Sequence, residues 1–306
     1  MHHPADLNPL PHICVCICTY QRPVMLQRLL LTLNDMECDG LFTFSVAVAD
    51  NSPEGEAELL VDALRPELVY EIAFISEPHR NIAYARNAVI SIASGDYYAL
   101  IDDDELPDVR WLVDLFALCA QPEVDAVLGP VLRCFEGDAP RWLQRSSLYE
   151  RITPPTGTSV AWRKSRTGNV MLRASLIGAG EKPFRPEFRA GEDQDFFRRK
   201  IEAGAKVVWS REGVVRELIP PSRWRRRYYI RKALIQGATS ALQPDCTFLS
   251  LCKSVLAVVI YSVALPFVAC MGQHLAMTLL VKLCDHLGKL LASCGINPIH
   301  EEYVSS

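Results

Sequence analysis

No glycine stands in the turn after the first apolar run of this chain, which reads Cys18-Thr19-Tyr20-Gln21-Arg22-Pro23. Dinucleotide-binding folds need Gly-x-Gly-x-x-Gly there, and P-loops need glycines ahead of Lys-Ser/Thr, so backbone cradling of a phosphate is excluded at this position. The Asp pair that haloacid-dehalogenase-type phosphatases carry after their first strand is missing as well. An excess of one charge is also absent. Lys+Arg 32 against Asp+Glu 36 leaves a net of -4, which gives no global case for nucleic acid as a partner. The 11 cysteines contain no Cys-x-x-Cys pair and no Cys/His spacing of a zinc site. Cys14, Cys16 and Cys18 alternate along one strand, share a face, and read as small core residues. The start, Met1-His2-His3-Pro4, is polar rather than targeting. A reducing, cytosolic catalytic portion without a disulfide framework is expected. No internal repeat is visible.

What is present is a regular beat. Apolar runs at Ile13–Cys18, Phe44–Ala49, Val69–Ile75, Tyr97–Ile101 and Ala126–Leu132 read as strands. Between them, Val24–Leu33 behind Pro23, Leu59–Leu64, Asn81–Ala93 and Val109–Leu118 read as helices. This order predicts an α/β fold with a doubly wound, mostly parallel sheet. The rhythm breaks over 136–166, a Gly-, Pro-, Arg- and Trp-rich stretch that reads as a functional excursion. It resumes with a strand at Gly168–Leu172, a helix at Asp193–Ala203 and a short strand at Lys206–Ser210.

Two acidic clusters carry the chemistry. Asp102, Asp103 and Asp104 close the fourth strand, at the carboxyl edge where open α/β sheets bind ligands. Three adjacent carboxylates repel one another unless a cation neutralises them, and hard oxygen donors suit Mg2+ or Mn2+. Downstream, Gly191-Glu192-Asp193-Gln194-Asp195 opens a helix and offers what a metal–diphosphate site lacks, a base.

Five segments then carry a resemblance. Ile17-Cys18-Thr19-Tyr20-Gln21-Arg22-Pro23, Ala49-Asp50-Asn51-Ser52, Asn81-Ile82-Ala83-Tyr84-Ala85-Arg86-Asn87, Ile101-Asp102-Asp103-Asp104-Glu105 and Gly191-Glu192-Asp193 stand in the order seen in family 2 glycosyltransferases. The match runs from Ile13 to Gly237. Its end, Val214–Gly237, is most similar to glucosyltransferases that build bacterial exopolysaccharide repeat units on a lipid carrier.

The resemblance implies a glycosyltransferase A-type fold and inverting, metal-dependent transfer from a nucleotide-diphosphate sugar. Carried over, Thr19 and Tyr20 would line the base pocket, Tyr20 alternatively capping the sheet edge. Asp50 would accept from the base, uracil by preference, or else cap the following helix. Arg86 would reach a phosphate or brace the acidic cluster. Asp104 would ligate the metal, and Asp102 would hold ribose or a water-mediated metal contact. Asp103 belongs with the donor-binding set, although alternation at a strand end turns it away. Gly168 and Asn169 would lie near the transferred sugar, a strand bulge being the structural alternative. Asp193 would be the general base, with Glu192 supporting acceptor hydroxyls. Asp195 is expected to cap the helix or pair with Arg198 or Arg199.

Two departures from the family pattern matter. Processive members carry Gln-x-x-Arg-Trp, whereas Pro220 stands in the Gln position before Arg223-Trp224, so one sugar per acceptor is expected. The stretch that supplies a metal-binding His in many A-type enzymes reads Val214-Val215-Arg216-Glu217, which leaves Glu217 as the remaining protein candidate.

The remainder of the chain changes character. Ser254–Gly272 gives 19 residues without a charge, interrupted by Pro266, at the threshold for a membrane span. Leu275–Leu291 is apolar but spaces Lys282, Asp285 and Lys289 as an interfacial helix would. Basic and aromatic residues interleave over Arg223–Lys232, which suits an anionic membrane surface. We expect a catalytic domain over 1–240 and a helical, membrane-associating appendage over 241–306. The partners are then a nucleotide-sugar donor, a lipid-linked glycan acceptor and the cytoplasmic face of a bacterial inner membrane, with no nucleic acid. A scaffold subunit that binds nucleotide sugar without catalysis, and a nucleotidyltransferase, are the competing readings.

Overall fold

The computed structural model describes residues 9–148, 153–178, 180–188, 191–243 and 246–296. Along the chain lie β1 (His12–Thr19), α1 (Pro23–Thr32), β2 (Thr43–Asp50), α2 (Glu56–Leu64), β3 (Ile72–Ser76), α3 (Ile82–Ile92) and β4 (Tyr97–Asp102). They are followed by β5 (Glu105–Pro107), α4 (Trp111–Cys119), β6 (Ala126–Leu128), β7 (Val131–Phe135), α5 (Arg141–Gln144), β8 (Val170–Arg173) and α6 (Glu192–Glu202). The last are β9 (Val207–Trp209), β10 (Val215–Ile219), α7 (Arg226–Ala241), α8 (Phe248–Met271) and α9 (Gln273–Ser293).

Seven strands form the main sheet in the order β3-β2-β1-β4-β8-β6-β9. β1 is parallel to β2 and β4, β2 to β3, and β6 to β9, while β8 runs antiparallel to both β4 and β6. β1 explains itself through burial on both faces, as a central parallel strand requires. Ile13, Val15 and Ile17 enter the layer beneath α1, α2 and α4. Cys14 and Cys16 enter the other, with Ala83 and Val89 of α3 and Phe196 and Phe197 of α6. The cysteines are small core residues, as their alternation predicts. Each buried Ile or Val contributes about 1.5–3 kcal/mol.

One predicted strand is two. Ala126–Leu132 is cut at Gly129-Pro130 into β6, in the main sheet, and β7, in a second sheet ordered β5-β10-β7. Proline has no N–H for a ladder, so the chain leaves one sheet there and enters another. β3 begins at Ile72 rather than Val69, because a tight turn over Arg65–Glu67 and the following residues take up the earlier positions. The excursion over 136–166 holds α5 and a short turn at Trp162–Lys164. Registers set the site. Thr19 pairs with Asp50 and Cys18 with Asp102, so β1, β2 and β4 end together at one carboxyl edge.

Candidate active site

That edge opens into a pocket of about 450 Å³. Its wall takes Thr19, Tyr20, Gln21 and Arg22 from the turn after β1 and Asp102 to Glu105 from the β4–β5 turn. Arg166, Thr167 and Gly168 precede β8, Asp193 opens α6, Glu217 lies in β10, and Arg223, Tyr228 and Lys232 lead into and along α7. Asp102 to Asp104 and, from the second cluster, Asp193 therefore face one cavity.

The carboxylates are held by guanidinium groups. Arg22 Nη1 donates to Asp103 Oδ1 at 3.0 Å and to Asp104 Oδ2 at 3.4 Å. Arg223 Nη1 reaches Asp104 Oδ2 at 2.7 Å and Glu217 Oε1 at 3.4 Å. Thr19 Oγ1 donates to Asp103 Oδ2 at 2.8 Å. Arg86 pairs with Glu192 and lies 3.9 Å from Asp102 Oδ1. Burial pushes the Asp103 carboxyl up to about 6, against the pull of Arg22. It raises Asp102 as well, against Arg86 and with Asp104, Glu217 and Asp193 adding repulsion. Glu105 stands well above the ordinary range because it is buried among Asp102, Asp104 and Glu217. Its Oε2 accepts from the Asp102 amide at 3.2 Å.

The expected residues divide. Thr19, Tyr20, Arg86, Asp102, Asp103, Asp104, Gly168 and Asp193 line the pocket. Asp103 points inward rather than away, because the chain has left β4 for a turn and strand alternation no longer applies. Gly168 is a requirement of space: a Cβ there would stand 2.9 Å from both Asp102 Oδ2 and Glu105 Oε1. Glu192 and Asn169 depart from expectation, and Asp50 takes the second of its two readings. Asp50 is buried and spends its oxygens on Ser52 N at 2.8 Å, Ser52 Oγ at 2.8 Å and Ala57 N at 3.2 Å, capping the segment into α2. Asn169, at φ +57°, is wholly buried. Its amide donates to Pro130 and Gly213 carbonyls at 2.8 Å and accepts from Trp111 Nε1 at 2.8 Å, tying β8 to the seam between the sheets. Glu192 turns its buried carboxylate to Arg86 rather than to the cavity, so Arg86 braces the acidic clusters. Asp195 behaves as expected, with Arg198 and Arg199 each at 2.9 Å.

Arg22, Glu105, Arg166 and Thr167 had no role in the sequence reading, and Tyr228 and Lys232 were read only as part of a membrane-facing stretch. Arg22 and Glu105 stood inside quoted motifs, directly beside assigned residues. Thr167 Oγ1 and Arg223 Nε are buried and have no hydrogen-bond partner among the described residues. Buried polar atoms without partners in a pocket wall are what a polar ligand would satisfy.

Divalent metal suits this donor chemistry, since the floor is made of hard carboxylate oxygens. Geometrically the floor is closed: among the described residues no three His, Cys, Asp or Glu side chains are grouped to hold an ion, and arginines occupy the carboxylates. Asp104 and Asp102 fit a metal on condition that Arg223 and Arg22 release Asp104.

Comparison with known proteins meets this geometry. The solved structure of the mannosyltransferase PcManGT from Pyrobaculum calidifontis, in complex with GDP-Man and Mn2+, has TM-score 0.57 at 17% identity, covering 97% of this chain and 80% of that one. S. aureus TarS 1-349 in complex with UDP-GlcNAc has TM-score 0.53 at 15% identity, with 93% and 92% covered. At such identities the likeness is one of fold, the glycosyltransferase A-type. The succinoglycan biosynthesis protein ExoM of Rhizobium meliloti (strain 1021) is 34% identical over 235 residues, 76% of this chain and 75% of that one. The family model for glycosyl transferase family 2 matches residues 14–177, which hold β1, β4 and the whole Asp102–Glu105 turn. A family match across the strands that build the pocket floor, with a relative sharing a third of its residues over three quarters of both chains, makes this protein a glycosyltransferase of family 2.

Proposed function

We propose that the protein transfers one sugar, with inversion, from a nucleoside-diphosphate sugar to a lipid-linked glycan in bacterial exopolysaccharide synthesis. A UDP-linked hexose is the donor in this reading, and the cytoplasmic face of the inner membrane is the place. The observation that carries it is one cavity with Asp102–Asp104 and two arginines at the carboxyl edge of the sheet and Asp193 on α6 lining the same cavity. The relative named for succinoglycan biosynthesis supports the pathway class, and the neighbours solved with nucleotide sugars support the donor class.

Asp193 lies in the first turn of α6 and lines the cavity. Its one hydrogen bond among the described residues is to the Gln194 amide at 2.7 Å. As general base it takes the acceptor hydroxyl proton while that oxygen bonds to the anomeric carbon. The bond to the diphosphate breaks on the opposite face, and its electron pair leaves with the diphosphate oxygen. Arg22 and Arg223 face that leaving group and are its protein counter-charges. A bound Mn2+ or Mg2+, held by Asp104 and Asp102, would add charge neutralisation there. Pro220 in place of the processive glutamine fits a single addition. Residues 1–240 serve catalysis in this reading and 241–306 attachment.

The test is to incubate the full chain with UDP-glucose, Mn2+ and bacterial lipid extract. Free UDP with label in the lipid phase is expected. Binding without UDP release would make the chain a scaffold, and release of glucose 1-phosphate in place of UDP would make it a nucleotidyltransferase.

A further inference from the structure

Among the described residues α8 is the one helix long and apolar enough to cross a membrane. Surface helices of water-soluble proteins carry a polar outer face, and α8 does not. Cys252, Val259, Val263 and Cys270 fall on one side at near-whole helical turns, with Leu256 and Phe267 beside them. Val263 is 63% exposed and Phe267 71%. At 1.5 Å per residue this stripe runs roughly 27 Å from Cys252 to Cys270, and the helix's one charge, Lys253, stands near its start. An apolar surface of that extent marks a partner or a membrane.

The other side of α8 is fastened. Ser254 Oγ bonds His286 Nδ1 at 3.1 Å, and Lys289 Nζ donates to Ser250 Oγ at 3.2 Å. These pairs make α8 and α9 an antiparallel hairpin. α9 lies along α7, and their backbones touch where glycines meet. A Cβ on Gly237 would stand 1.8 Å from the Asp285 carbonyl oxygen, and one on Gly288 2.2 Å from that of Leu234. α7 in turn supplies Tyr228 and Lys232 to the pocket. If α8 crossed a bilayer in this arrangement, α9 and α7 would enter it alongside, with Lys282, Asp285 and Lys289. Charges at mid-membrane are strongly disfavoured unless they are paired or face water.

We infer that α8 lies lengthwise in the interface of an anionic lipid bilayer, as a flat seat for the catalytic unit rather than as a spanning helix. Charge complementarity commits the occupant to lipid. Arg225, Arg226 and Arg227 are exposed at the start of α7, and Arg226 donates to Gln273 at 2.7 Å, at the hairpin tip beside the end of the stripe. The tip is also the end nearest the pocket, Tyr228 being two residues from Arg226. The inference rests on the membrane attachment proposed above and is independent of sugar transfer.

Flotation of the purified full chain with phosphatidylethanolamine/phosphatidylglycerol vesicles tests it, alongside UDP release measured separately. The chain should float, and less well without the anionic lipid. Mapped by mass spectrometry, Cys252 and Cys270 should lose reactivity to an impermeant maleimide by the same factor when vesicles are added, and permeabilisation should change neither. Val259→Lys with Val263→Lys should cut flotation at least tenfold while UDP release persists. One cysteine reacting only after permeabilisation would mean a crossing helix and overturn the inference. So would a chain that stays in solution and sediments as a dimer through the stripe. Lost UDP release with flotation intact would instead remove the catalytic reading.

Discussion

Asp193 and Asn169 ask opposite things of a substitution. Asp193→Asn keeps size and helix-capping capacity but cannot take a proton. Transfer should fall at least about a hundredfold with donor affinity and melting temperature near the parent's, by steady-state kinetics, calorimetry and thermal denaturation. Asn169→Ala should instead cost roughly 2–4 kcal/mol of stability in urea, since it leaves the Gly213 carbonyl and the Trp111 N–H without their partner, while the Pro130 carbonyl keeps only the Val215 N–H. Gly168→Ala should weaken donor binding at least about tenfold by calorimetry, because the methyl group must displace Asp102 or Glu105. The floor also has a pH signature. Asp103 titrates at about 6 in the fold and near 3.9 unfolded. Between those values the folded state binds more protons, so stability present below pH 4 is lost as pH rises to 6, by about 3 kcal/mol for this group. Chelator-treated protein should show that slope in its urea midpoints, and Asp103→Asn should flatten it. The sequence reading found the residues that face the cavity because motif order marks a sheet edge. It misplaced Glu192 and Asn169, whose residue types fit the family but whose hydrogen bonds are made to neighbours that only the tertiary fold supplies; Asp50 took its local capping alternative, with Ser52 and Ala57 as partners.

At the scale of elements, the parallel strands and their helices were legible because buried runs and amphipathic segments alternate. The second sheet was not. β5 has three residues, and β7, which follows a Pro-marked break, and β10 have five each, too short for any periodicity to show. Nor does apolar spacing tell that β8 runs antiparallel, since strand direction depends on the path through 136–166. The C-terminal helices were visible as apolar lengths, but their contact was not, because it depends on two glycines far apart in sequence. Gly237→Val should drive α9 from α7, lower the melting temperature by several degrees and expose the α7–α8 connection to limited proteolysis. An unchanged melting temperature and digestion pattern would mean the two helices do not touch there.

Across the whole molecule, β8 lies between β4 and β6 although it is made after both. A ribosome therefore releases the two halves of the main sheet before the strand that joins them exists. Until Arg173 has emerged, β4 presents a bare row of backbone donors and acceptors along a hydrophobic strand, the kind of edge that recruits other chains. N-terminal fragments ending near residue 140 should accordingly aggregate, while those reaching past α6 should stay in solution. The growing chain has its greatest need of a chaperone in that interval, and the active site, which waits for Lys232, is assembled only after the danger has passed.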